Sequence, residues 1–143
     1  MRYWDSSALV PLFIHERASE KIHLLAKEDP GIITWWGTPV ECYSALWRFK
    51  RNASLKDTEF QIIRSKIDSL VENMDVMNPS SLLRDRALRL LALHPLRAGD
   101  ALQLAAGLLW TKDQPGNVNF VCLDDKLCHA ALAEGFHVLP ERE

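Results

Sequence analysis

Four carboxylates in this 143-residue chain share one sequence context. Asp5, Glu41, Asp100 and Asp124 each stand where a strand-like run stops or in the first turn of a helix-like one, with Asp125 beside the last. Asp5 closes Arg2-Tyr3-Trp4, a short run of β-favouring residues, and Ser6 and Ser7 then offer N-cap hydroxyls to a helix beginning near Ala8. In an open α/β sheet, strand ends and the helix starts that follow them lie on one edge, where ligands collect. Carboxylates gathered there repel one another in a low-dielectric cleft. Protonation or a divalent cation relieves the repulsion, and oxygen-only ligands favour magnesium or manganese over zinc. Magnesium held mainly by carboxylates keeps several waters, and one of these can become the nucleophile for phosphodiester hydrolysis.

Each acid also has a purely local use, because capping and the helix dipole favour Asp, Glu and Ser at helix N-termini. Thr38 as N-cap, Pro39 at N1 and Glu41 at N3 form a capping-box pattern that accounts for Glu41 by itself. Asp100 after Gly99 can serve its helix terminus alone, and Asp124 or Asp125 can be a turn acid. Asp5, at a strand end beside two serines, is the hardest to explain locally. Shared placement carries the case. Two other function classes fit parts of the pattern. A phosphoaspartate domain, of receiver or phosphatase type, would use Asp5 at one strand end and Asp124-Asp125-Lys126 at another. Ser7 stands where such a phosphatase has a second Asp, and a receiver leaves Glu41 and Asp100 without a task. A non-catalytic module that keeps the fold and binds a protein partner is the other class.

The elements that must position these residues follow from periodicity and breakers. Ala8 to Ile14 reads as a short helix limited by Pro11, and Ser19 to Lys27 as an amphipathic one stopped at Asp29-Pro30-Gly31. Ile32 to Thr34 is a brief buried strand. Thr38 opens a helix to about Arg51, and Ser54 starts a second to about Glu72, with Phe60, Ile63, Ile67, Leu70 and Val71 on its apolar side. Met74 to Met77 reads as a strand and Ser81 to Leu93 as a helix broken by His94-Pro95. Ala101 to Trp110 is apolar almost all round, the pattern of a central, buried helix. Asn119 to Leu123 is the strongest strand candidate. Lys126 to Glu134 is the last helix with Gly135 as its C′ residue, and His137 to Leu139 is a closing strand. Alternating strands and helices predict a three-layer α/β/α sandwich with a mostly parallel central sheet, as a single domain over residues 1–143.

Composition sets bounds on partners and compartment. With 48% hydrophobic and 25% charged residues, the chain has the balance of a folded domain rather than a disordered one. A net charge of -2 supplies no global positive field, so nucleic-acid binding would need a local basic patch. Three cysteines without a C-x-x-C pair fit reduced thiols in a cytoplasm and argue against a zinc ribbon. No apolar run approaches the roughly 20 residues that span a bilayer. The expectation is cytoplasmic, with no membrane contact.

Four runs carry a resemblance. Tyr3-Trp4-Asp5-Ser6-Ser7-Ala8-Leu9-Val10 resembles the opening of PIN-domain proteins, in particular the VapC-type toxins of bacterial toxin–antitoxin pairs. The runs Thr38-Pro39-Val40-Glu41 through Leu46, Leu96-Arg97-Ala98-Gly99-Asp100-Ala101-Leu102-Gln103-Leu104-Ala105-Ala106, and Phe120-Val121-Cys122-Leu123-Asp124 match that family in order and spacing, so the resemblance covers essentially the whole chain. It implies a PIN-like α/β/α fold and a magnesium- or manganese-dependent endoribonuclease, inhibited by a partner antitoxin and commonly a homodimer. Asp5, Glu41 and Asp100 stand at the family's three central acidic positions and Asp124 at the fourth, the set implied as catalytic and metal-holding. Asp125 falls where the family often has a basic residue. Cys122 replaces a common Ser or Thr, and Pro11 lies in a helix usually free of proline.

Candidate substrate contacts are Arg97, just before Asp100, and Ser6, with Arg48, Lys50 and Arg51 as further cations on the Glu41 helix. Trp35 and Trp36 offer base-stacking surfaces or packing. Trp47, Phe49 and Phe60 are candidates for an exposed apolar partner surface. The histidines show no ligand spacing.

Overall fold

The computed structural model describes residues 1–142. Strand β1 (Arg2–Trp4) lies at the centre of a five-stranded sheet in the order β3-β2-β1-β4-β5, where β2 is Ile32–Trp35, β3 Asp75–Met77, β4 Asn119–Val121 and β5 His137–Leu139. Every pairing is parallel. Strands of three or four residues suffice here because successive side chains point to opposite faces and each face is covered by helices. Tyr3, Ile33 and Phe120 face one core, completed by α5 (Ser81–Leu93), α6 (Ala98–Trp110) and α7 (Asp125–Ala133). Trp4, Ile32 and Val121 face the other, completed by α1 (Ser6–Leu9), α2 (Ser19–Glu28), α3 (Thr38–Ala53) and α4 (Asp57–Asn73). The result is the three-layer α/β/α sandwich that the sequence predicts. Among the described residues, no helix is long and apolar enough to cross a membrane.

Several boundaries differ from expectation for local reasons. Asp5, rather than Ser6 or Ser7, caps α1 by accepting from the Ser7 backbone N–H, so the helix starts two residues earlier than Ala8. A 3₁₀ turn over Val10–Leu12 takes up Pro11, in place of a helix running to Ile14. Ser54 does not open α4: it ends α3 in the left-handed conformation (φ 52), and α4 begins at Asp57. Helix α6 starts at Ala98, which sets Asp100 inside its first turn. Strand β4 ends at Val121, leaving Cys122 and Leu123 as the link to Asp124. Phe60 is 4% exposed, and Phe49 also packs on the core, which corrects both as partner-surface candidates; Trp47 remains exposed at 43%.

Helix α6 is the most enclosed, as its all-round apolar pattern predicts: Ala101 and Gln103 through Leu108 are all buried. It approaches the sheet closely at Gly107, where a Cβ would stand 3.1 Å from Phe120 and 3.2 Å from Phe136. Those rings are themselves packed, at a centroid distance of 5.0 Å, and have little room to withdraw. Gly107→Val is expected to lower unfolding free energy by about 1–3 kcal/mol through overpacking, measured by urea denaturation.

Candidate functional site

Two adjoining cavities at the carboxyl edge of the sheet share Glu41, Arg48, Asp100 and Asp124 in their walls. One runs between α1 and α3 and adds Asp5, Ser6, Ser7, Val10, Val40 and Ser44. The other lies over the starts of α6 and α7 and adds Arg97, Leu123, Asp125 and Lys126. Parallel pairing explains the convergence: β1 and β4 end side by side, and the helices that follow their ends start on the same edge. A more apolar groove along α4, past Ile62 and Leu70, holds no carboxylate and lies on a single helix.

Asp5 is the most enclosed of the acids, 2% exposed. Its Oδ2 accepts from the Ser7 N–H at 3.2 Å and its Oδ1 from the Ser7 hydroxyl at 2.8 Å. Ser7 Oγ in turn accepts from the Leu123 N–H at 2.9 Å, which ties the end of β1 to the link after β4. Burial pushes the Asp5 carboxyl up from the usual 3.8 to about 7; the Ser7 hydrogen bonds oppose that rise and the nearby Glu41 charge adds to it. Asp100 is also raised, first by burial, then by the charges of Asp124 and Glu41, with Arg97 opposing. Mutual repulsion of that kind is what a shared anionic site produces.

Glu41 does not form the capping box. Helix α3 has Gly37 at its N-cap with no side-chain hydrogen bond there. Thr38 Oγ1 instead lies 2.7 Å from Thr34 Oγ1, buried. Freed of the helix end, the Glu41 carboxylate accepts from Ser6 Oγ at 2.6 Å on one oxygen and from Gln103 Nε2 at 2.9 Å on the other. Ser6 thus gives its hydroxyl proton to an acid while lining the same cavity. Gln103 is 1% exposed; in the sequence its one mark is that of a lone amide in the otherwise apolar run from Ala101 to Trp110.

Asp124 is the N-cap of α7, its Oδ1 accepting from the Leu127 N–H at 2.9 Å, and it lines both cavities. Asp125 pairs with Arg142 and lines only the outer one. Asp124 is therefore the fourth acid of the inner cluster. Cys122 places its Sγ 3.8 Å from Ser7 Oγ, a weak contact at the position where a hydroxyl would bond more strongly. Cys42, next to Glu41, has its thiol pushed up to about 12 by burial, with the Glu41 and Asp5 charges adding, so it stays protonated and offers no thiolate.

Among the cations, Arg48, Arg97 and Lys126 line the acidic cavities. Lys50 is turned away, paired with Asp57 at 3.2 Å and 4.7 Å over the Phe60 ring. Arg51, Trp35 and Trp36 line neither cavity; Trp35 packs against the core, and Trp36 stands edge-on to it at 6.3 Å. Among the described residues, no three Asp, Glu, His or Cys side chains stand close enough together to hold a metal ion. Magnesium is ordinarily bound by one or two carboxylates plus waters and substrate phosphate rather than by a closed protein cage, so a hard divalent cation fits this all-oxygen donor set with the more distant acids acting through water.

No family model matches the sequence, and no curated protein matches it. Solved structures do resemble it. A crystal structure from Pyrobaculum aerophilum matches with a TM-score of 0.64 at 18% identity, covering 97% of this chain and 90% of that one. A toxin–antitoxin complex from Klebsiella pneumoniae matches with a TM-score of 0.58 at 16% identity, covering 88% of each chain. By architecture, this chain carries a fold shared with a chain of a toxin–antitoxin complex, and the acidic edge described above is the candidate site within it.

Proposed function

We propose that this protein is a metal-dependent endoribonuclease of the PIN-domain type and the toxin of a toxin–antitoxin pair. The observation that carries the reading is the convergence of Asp5, Glu41, Asp100 and Asp124 on one cavity, from four separate segments of the chain. The fold shared with a chain of a toxin–antitoxin complex supports the biological context. An antitoxin as inhibitor, a homodimer and a cytoplasmic location belong to the same proposal.

Asp5, Asp100 and Glu41 would hold magnesium or manganese directly or through water, with Asp124 completing the set. When bound, such a cation activates a water and offsets charge on the scissile phosphate. The chain's own groups do the rest. Ser6 and Gln103 orient Glu41, and Ser7 orients Asp5. Arg48, Arg97 and Lys126 supply the local positive rim that RNA phosphates require in a protein of net charge -2. Arg48 has no carboxylate within ion-pair distance among the described residues although acids line the same cavities, which leaves its guanidinium available to a phosphate. Arg48→Ala is expected to weaken RNA binding and to reduce the slope of log affinity against log salt by about 0.7–1, read by fluorescence anisotropy across a salt series.

Phosphoaspartate chemistry is disfavoured, since that reading leaves Glu41 and Asp100, which line the same cavity, unused. The open spacing of the acids favours a second reading, in which the same edge binds a partner's basic side chains without catalysis. Cleavage of a mixed RNA pool with magnesium, with manganese and with EDTA separates the two. Metal-dependent cutting supports the nuclease; no cutting by a folded protein that binds the metal supports the partner-binding module.

A further inference from the structure

Glu41 is the only acid of the cluster whose two oxygens are held by two different segments, Ser6 on one side and Gln103 on the other. The Gln103 partner belongs to a largely buried chain of hydrogen bonds that joins β1, β2, α3 and α6. Tyr3 Oη donates to Gln103 Oε1 at 2.6 Å. Gln103 Nε2 donates to Thr38 Oγ1 and to Glu41 Oε1, each at 2.9 Å. Thr34 Oγ1 donates to the Trp4 carbonyl at 2.6 Å.

The proton directions follow by elimination. The Trp4 carbonyl can only accept, so it takes the single Thr34 hydroxyl proton. Thr34 Oγ1 must then accept from Thr38, and Thr38 Oγ1 must accept from Gln103. With its carbonyl occupied by the Tyr3 phenol, the Gln103 amide has one orientation. A flipped amide would set its oxygen against the Glu41 carboxylate and against Thr38, whose hydroxyl proton is already given to Thr34. We infer that Gln103 is a positioning residue for metal binding: anchored on β1 through Tyr3 and on α3 through Thr38, it fixes the rotamer of Glu41 and keeps one of its lone pairs turned to the cavity. The inference rests on the metal-dependent reading above and adds to it a residue that touches neither metal nor substrate.

Outer partners of this kind typically alter metal affinity or activity by about 10- to 100-fold when removed. Gln103→Met keeps the length of the side chain and removes both the donor and the acceptor. It is expected to weaken Mn²⁺ binding by about 10- to 100-fold in isothermal titration calorimetry and to lower kcat on RNA with KM unchanged. Gln103→His, which still presents one donor and one acceptor, is expected to recover most of both losses. A folded Gln103→Met protein with wild-type Mn²⁺ affinity and kcat, or one that loses thermal stability alone, overturns the assignment. Should that variant fail to fold, Tyr3→Phe removes the anchor on β1 and leaves Gln103 Oε1 without its donor; a lower Mn²⁺ affinity supports the role and an unchanged one overturns it. A metal-free arm keeps this separate from the nuclease reading. The Gln103 side-chain amide proton facing Glu41 should resonate downfield in ¹⁵N-edited NMR and move upfield in Glu41→Ala, and an unmoved signal overturns the inference. Absence of Mn²⁺ binding by the wild-type protein would sink the nuclease reading, and the NMR result would still decide the contact.

Discussion

Asp5→Asn is expected to abolish metal-dependent RNA cleavage, by about a thousandfold or more, while leaving the protein folded. Removing a central carboxylate would weaken the hold on the cation, which would supply several kcal/mol of charge stabilisation at the phosphate, and about 1.4 kcal/mol corresponds to each factor of ten. The fold should survive because the substitution is nearly isosteric and the remaining amide oxygen can still accept from Ser7, whose bonds to Asp5 cap α1. The measurement is single-turnover cleavage with Mn²⁺, paired with circular dichroism. Retention of the wild-type rate would remove Asp5 from the chemistry and leave the cleavage to the other acids of the edge. Mn²⁺ should also raise the melting temperature of wild type and not of the variant, since a ligand present at about a hundred times its Kd stabilises by about 2.7 kcal/mol.

In the metal-free protein, stability should fall as pH rises from about 4 to about 7, and Asp5→Asn should remove most of that slope. The folded-state Asp5 carboxyl titrates near 7 and the unfolded one near 3.8, so between those values the native state binds the extra proton. Unfolding free energy therefore decreases with pH through that window and levels off above it. A displacement of that size corresponds to about 4 kcal/mol as an upper bound for a group so deeply buried. Asp100 acts in the same direction and less strongly, being half-buried. Asp29, Asp113 and Asp125 are held low, first by their hydrogen bonds to the N-terminus, Arg86 and Arg142, and work in the opposite direction below pH 4; Asp113 and Asp125 are exposed and Asp29 partly so, and solvent screens them. Urea denaturation in EDTA at pH 4.5, 6 and 8, for wild type and variant, isolates the Asp5 contribution as a difference. A wild-type curve parallel to that of Asp5→Asn would mean that Asp5 is ionised in the fold without a cation.

The sequence by itself determined the layers and the edge. Strand-like runs alternating with helical ones require parallel pairing, and parallel pairing delivers every strand end to one side, so Asp5, Asp100 and Asp124 could be placed together from local patterns. The all-round apolar run after Asp100 likewise announced a buried helix, because burial on every side leaves no polar stripe. Tertiary structure decided which partner each side chain takes. Thr38 and Glu41 satisfy the capping-box spacing, yet Thr38 is drawn to Thr34 on β2 and Glu41 to Ser6 and Gln103. A capping box needs only residues three apart, whereas Glu41 meets partners 35 and 62 positions away. Asp124 and Asp125 have the same local propensities, and their partners separate them: Asp124 caps α7, while Asp125 pairs with Arg142, seventeen residues beyond it. Phe60 follows the same rule: its helical position marks it apolar, and only the packing of α4 against α3 buries it. Local spacing fixes where a residue can point along its own element, and competition among donors and acceptors brought from distant segments fixes what it holds.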